Sequence, residues 1–347
     1  MGATRRRLLV GAAMLPLPFV ARAQRPSSIT VAALGGAFQS VFQTALIDPF
    51  RRVRPNIAVY YYAVSNPAQI LGLLRQRFEP AQFDVLLLNP RTARLATKER
   101  LVEPLRPEIT ADLIPAARLD GVAGAVAMID CLGLPHVPEV ARPDMSSWRI
   151  LWDSSVVSRL ALPAAPDPIG LGLTLIAAEL FGNGRDRAAI PGGITALTHL
   201  TPRIVTWNPK PDVYDFLIDR LALFGVAWNG IGQVRARRNP TGLRMALPRD
   251  APVRDLYTVH QTRTSARPEA AQAFIAYLLG PEAQSRIAES LFMTPVHPGA
   301  RITPDTAARL LPLEAPDQPI IGIDSPEIEA LKAPIVDGWH SKVMRKQ

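Results

Sequence analysis

The sequence predicts an α/β protein of two doubly wound lobes, and three observations carry that reading. Residues 29–88 alternate strand, helix, strand, helix, strand; a second alternating series follows residue 160; and 347 residues exceed what one hydrophobic core supports. Hydrophobic residues form 48% of the chain, enough to fill two cores. No long Gly/Ser linker is present and the 34 prolines are scattered, so short crossings must join the lobes.

Residues 29–34 form an apolar run stopped by Gly35-Gly36, where the chain must turn into a helix. Phe38, Val41, Phe42, Ala45 and Leu46 then keep helical spacing. Residues 57–63 alternate as a strand into Val64-Ser65-Asn66-Pro67, followed by helical recurrence of Ile70, Leu71, Leu74 and Phe78. Residues 83–88 supply the third strand. In a parallel sheet of this order ligands sit beyond the carboxyl ends of the strands. Those ends carry Gly35-Gly36, Ser65-Asn66 and Asn89-Pro90-Arg91.

The second series reads as a strand at 160–162, a helix at 170–181, a strand at 204–207, a helix at 212–224, and strands at 225–228 and 243–247. A further strand at 256–259 leads to Pro268, after which Ala271, Phe274, Ile275, Leu278 and Leu279 make one apolar stripe ended by Gly280-Pro281.

Thr4-Arg5-Arg6-Arg7-Leu8-Leu9 sets adjacent arginines before an apolar run, the pattern of a twin-arginine export leader. The run at 8–20 is too short to span a bilayer and contains Pro16 and Pro18. Ala21-Arg22-Ala23 offers a cleavage site after Ala23, leaving Gln24 first and no lipidation cysteine. Periplasmic export is therefore expected. Setting aside the leader's four arginines lowers the net charge from +9 to +5, and the remaining basic residues are dispersed, which argues against nucleic acid. Cys131 is the only cysteine, so stability comes from burial and not from a disulfide within the chain.

Several segments agree in order with one family. They are Gly35-Gly36-Ala37-Phe38-Gln39 with Asp48-Pro49-Phe50, Phe83-Asp84-Val85 before Leu101-Val102-Glu103-Pro104-Leu105, Ser147-Trp148 through Leu151-Trp152, Trp228-Asn229-Gly230, and Leu279-Gly280-Pro281-Glu282-Ala283-Gln284. On these the chain resembles the family 1 extracellular solute-binding proteins of ABC importers, nearest the spermidine/putrescine-binding branch. The resemblance implies the type II periplasmic-binding fold: a leader (1–23), lobe 1 (24–130 and 258–305) and lobe 2 (131–257 and 306–347, with Trp339). The crossings fall near 128–133 and 255–259. It also implies a small-molecule ligand, ABC permease subunits as partners, hinge closure, a monomer, no cofactor and no catalysis.

The chain departs from the polyamine-binding pattern. Only Phe38 remains of the aromatic turn after the first strand, and Asn89-Pro90-Arg91 replaces Ser-Thr-Tyr. The acidic stretch of lobe 2 is reduced to Asp167, and the Trp-x-Asp pair becomes Asp255-Leu256-Tyr257, while Trp228 keeps its place. Arg91 reads either as an exposed helix-start charge or as an anchor for a carboxylate or phosphate. The ligand set expected is Gly35, Gly36, Phe38, Ser65, Asn66, Asn89, Arg91, Asp167, Trp228, Asp255 and Tyr257, with an anion-bearing solute as ligand and a polyamine as the alternative. An enzyme is the more distant reading, because G-x-S-x-G, a P-loop and H-E-x-x-H are all missing. No metal site is expected: the five histidines are dispersed, and Tyr60-Tyr61-Tyr62 reads as strand alternation, not as paired iron ligands.

Overall fold

The computed structural model describes residues 27–76, 82–142, 145–156, 158–312 and 321–344. The expected leader, the cleavage expected after Ala23, and Phe78 lie outside the described residues. In chain order the strands and α-helices are β1 (Ser27–Leu34), α1 (Ala37–Phe42), α2 (Asp48–Val53), β2 (Ile57–Val64), α3 (Pro67–Leu74), β3 (Val85–Leu88), α4 (Pro90–Lys98), β4 (Val102–Glu103), α5 (Pro107–Thr110) and β5 (Ala125–His136). Then come β6 (Leu160–Ala161), α6 (Pro168–Phe181), α7 (Ile190–Thr198), β7 (Ile204–Thr206), α8 (Val213–Ile218), β8 (Phe224–Gly225), β9 (Ala227–Trp228), α9 (Asn229–Arg238), β10 (Arg244–Ala246) and β11 (Val253–Thr262). The chain closes with α10 (Pro268–Leu279), α11 (Pro281–Leu291), α12 (Pro304–Ala308), β12 (Ile321–Gly322), α13 (Pro326–Glu329) and α14 (Lys332–Gly338).

Eight of these helices start on proline, which places eight of the 34 prolines. Proline lacks the amide that a first helical turn cannot use, and its fixed φ suits that position. Asn66, Asn89 and Asp167 precede three of them and cap their first turns.

β1 pairs in parallel with β2 from Ser27↔Ile57 to Leu34↔Val64, and in parallel with β3. The expected parallel sheet is interrupted next to β3, where β11 pairs antiparallel with both β3 and β5. β5 is buried along its whole length. It and β11 are the two long strands that run from one hydrophobic core into the other. One core takes in residues from Ile29 to Ile129 and from Leu256 to Leu310, together with Val234 of α9; the other takes in residues between Leu132 and Val253 and from Ile321 to Val343. The change of core falls inside β5, between Ile129 and Leu132, and inside β11, between Val253 and Leu256. Trp339 is fully buried in the second core, edge-on to Trp207 at 5.1 Å, with its Nε1 donating to Thr174 Oγ1 at 2.8 Å.

The stripe on α10 is core as its spacing predicts: Phe274, Ile275, Leu278 and Leu279 are buried, each contributing about 1.5–3 kcal/mol. Two expected helices differ in detail. The one after β1 contains a π-helical turn at Gln43–Ile47 before α2, which shifts its phase so that Leu46, Ile47 and Phe50 face inward. The helix expected over 212–224 stops at Ile218. Arg220 takes a left-handed φ of 59°, and the chain turns so that Phe224 can join the sheet.

Candidate functional site

The carboxyl ends of β1 and β2 meet the starts of α8 and α9 across an open cavity of about 480 Å³. One wall carries Leu34, Gly35, Gly36, Ala37, Phe38, Val64, Ser65 and Tyr257; the other carries Asp212, Tyr214, Trp228, Ile231 and Arg235. The first wall follows from the turn after β1. Gly36 adopts φ 70°, a left-handed conformation that a side chain opposes, and from there α1 begins. That turn delivers Phe38, whose ring lies 5.6 Å from Tyr257 and within 9° of parallel. Tyr61 props the turn from below by donating its hydroxyl to the Leu34 carbonyl, and burial pushes its pKa up.

The second wall is built on an ionic cluster. Asp212 caps α8, accepting from the Asp215 amide at 3.0 Å. Arg235 reaches from α9 to Asp212 at 2.6 Å and to Asp215 at 2.8 Å, with its guanidinium 5.5 Å from the centre of the Tyr214 ring. Burial raises the Asp212 pKa, opposed by the Asp215 amide and the Arg235 charge. Both Nη atoms of Arg235 are engaged, and its buried Nε meets no acceptor among the described residues. Tyr214 donates its hydroxyl to the Trp228 backbone carbonyl at 2.5 Å, tying α8 to the end of β9. Two carboxylates share one guanidinium, and of the three groups Asp212 and Arg235 line the cavity.

Beneath Tyr257 the crossing strands set Asp130 opposite Asp255. Asp130 is 1% exposed; its Oδ1 accepts from the Cys131 and Gly230 amides, while Oδ2 is buried without a partner among the described residues. Burial pushes the Asp130 pKa up to about 7. Asp255 is also raised, by burial first and then by the charges of Asp324 and Asp130.

Of the residues expected from sequence, Gly35, Gly36, Phe38, Ser65, Trp228 and Tyr257 come together around this cavity. Asn66 and Asn89 lie outside it, each at a strand end, capping α3 and α4 through their side chains to Gln69 and Thr92. Asp167 caps α6 through the Ile169 amide at 2.8 Å. Asp255 sits below the lining, accepting from the Leu256 amide. Arg91 points away from the cavity, to Glu329 at 3.4 Å, with both side chains well exposed. Asp212, Tyr214, Ile231 and Arg235 were not foreseen. The available signal was that Asp212 starts a helix after a strand, the same strand-end rule that located Gly35 and Ser65.

A family model described as bacterial extracellular solute-binding protein matches residues 29–292. The chain is 26% identical, over 177 residues, to the spermidine/putrescine-binding periplasmic protein 1 of Haemophilus influenzae, a match spanning 51% of this chain and 46% of that protein. It thus spans less than half of that curated relative. An ABC transporter substrate-binding protein from Bradyrhizobium japonicum superposes with a TM-score of 0.73 at 18% identity, over 90% of this chain and 99% of that one. The Atu4243 GABA receptor superposes with a TM-score of 0.71 at 16% identity, over 92% and 99%. At these identities the superpositions show a shared fold.

Proposed function

The chain belongs to the bacterial extracellular solute-binding proteins, and on that premise we propose that it is the periplasmic substrate-binding component of an ABC importer. It acts as a monomer, exported by the twin-arginine leader and cleaved after Ala23, and it hands its solute unchanged to membrane permease subunits. The observation that carries this reading is the cavity itself, with one wall built by β1, β2 and Tyr257 of β11 and the other by α8, β9 and α9. A solute touching both walls favours the closed arrangement and shifts the hinge toward it.

The solute is a small organic molecule bearing an anionic group, and Arg235 takes the anchoring role that the sequence offered to Arg91. An arriving carboxylate takes one edge of the guanidinium while Asp212 turns to an ammonium group of the same solute. The charge balance of the wall is then kept. The Atu4243 GABA receptor supports this choice, since GABA carries both groups. Calorimetry against a panel of amino acids and their ω-amino homologues tests it, with 1:1 binding near micromolar as the expected result, equivalent to about 8 kcal/mol. Absence of binding across the panel contradicts it.

A second reading, a polyamine as solute, is favoured by the two carboxylates, Asp212 and Asp215, that share the one Arg235 guanidinium and by the four rings of Phe38, Tyr257, Trp228 and Tyr214. The spermidine/putrescine-binding relative agrees with it. Spermidine binding more tightly than every carboxylate-bearing member of the panel selects this reading.

A further inference from the structure

The two halves also touch beside the β11 crossing, where α4 meets the segment that follows β12. That segment belongs with the second core: Ile321, Ile323 and Ile328 pack there, and β12 pairs with the start of β11. α4 belongs with the other half, its Ala93 and Ala96 packing with Leu86 and Leu88 of β3. Across this junction Arg94 Nη2 donates to the backbone carbonyl of Asp324. Arg91 Nη2 lies 3.4 Å from Glu329 Oε1, and Lys332 holds the other oxygen of Glu329 at 2.5 Å. A gap of about 160 Å³, lined by Pro90, Arg94, Leu256, Asp324 and Pro326 among others, remains beside the contact. Both of these contacts from α4 are made by the polar tips of its side chains.

The position gives the contact its meaning. α4 starts at the carboxyl end of β3, the same end of the sheet at which β1 and β2 deliver Gly35 and Ser65 to the cavity. On the hinge reading, a rotation about the crossings in β5 and β11 that widens the cavity would also draw α4 away from α13. We propose that Arg91 and Arg94 form a latch: by holding Glu329 and the Asp324 carbonyl they keep part of the ligand-free population closed, and so set solute affinity without touching the solute. This inference rests on the two-lobe hinge reading. The exposed Arg91–Glu329 pair is a weak contact alone. A hinge near balance responds to small terms, and apparent affinity scales with the closed fraction.

The test is the distance between spin labels on cysteines introduced at the exposed positions Val53 and Leu221, one on each half, in ligand-free protein; the native Cys131 is buried. The wild type should show a short and a long population. Arg91→Ala with Arg94→Ala should lower the short-to-long ratio about tenfold, equivalent to about 1.4 kcal/mol. Glu329→Gln should move it the same way by less, and the swap Arg91→Glu with Glu329→Arg should restore it. Glu329 is exposed, so its variant keeps the test open should the arginine variants fail to fold. Two populations unmoved by every variant overturn the latch alone. A single narrow distance in all of them overturns the hinge beneath it and the latch together.

Discussion

The two walls of the cavity are built on different principles. Among the described residues, the wall from β1, β2 and β11 lines the cavity with no charged side chain: it offers backbone at Gly35–Gly36 and the parallel Phe38 and Tyr257 rings. The wall from α8, β9 and α9 holds the Asp212–Arg235–Asp215 cluster under Tyr214 and beside Trp228. The contrast separates shape from charge: the first wall selects a flat or apolar body, and the second selects the ionic groups. Substitutions on the two walls should therefore have unequal effects.

The largest effect is expected at Arg235. Arg235→Ala removes the anchor and leaves Asp212 and Asp215 without their cation, so solute affinity should fall by about 10²- to 10³-fold. Tyr257→Phe preserves the ring stacked on Phe38 and should change affinity by less than about threefold. Calorimetry on both variants measures the difference. Equal losses at the two positions would break the division of labour between the walls.

How much of this was legible in the sequence differs between the walls for the same reason. The first wall arises within strand–turn–helix units a few residues long, where Gly35-Gly36 and helical spacing from Phe38 are local signals. The second depends on a contact between Asp212 and Arg235, which sit on different helices, and α9 begins with Asn229-Gly230 and shows no apolar periodicity that would mark its inward face. Asn89 and Asp167 were read as ligand groups because caps and ligand contacts use the same residue types at the same strand ends. Arg91 was correctly placed at a strand end, but its long side chain could turn either way, and Glu329 lies more than two hundred residues along the chain. The crossing strands were foreseen only as short stretches, because β5 is apolar along nearly its full length and carries no alternation to mark its ends.

A smaller effect is expected below the walls, at Asp130. Its folded pKa of about 7 lies above the usual carboxylate value, so the stability it contributes is present below about pH 4 and lost as pH rises to 7. His260 works the other way. Burial lowers its pKa to about 4 despite its bond to the Ala123 carbonyl, so the stability it contributes is present above about pH 6.5 and lost as pH falls toward 4. Between about pH 4 and 6.5 the two slopes oppose each other. Asp130→Asn should leave the His260 slope uncovered, and urea midpoints measured across this window should rise with pH more steeply than in the wild type. Parallel profiles for the two proteins would remove Asp130 from the account.

The central claim is that one solute bridges both walls and draws the halves together. Small-angle scattering on the wild type and Arg235→Ala, each with and without the tightest-binding solute of the calorimetric panel, tests it most directly. The account predicts a smaller radius of gyration for the wild type with solute, and no change in Arg235→Ala at the same solute concentration. A wild type saturated with solute whose scattering curve does not change would contradict it.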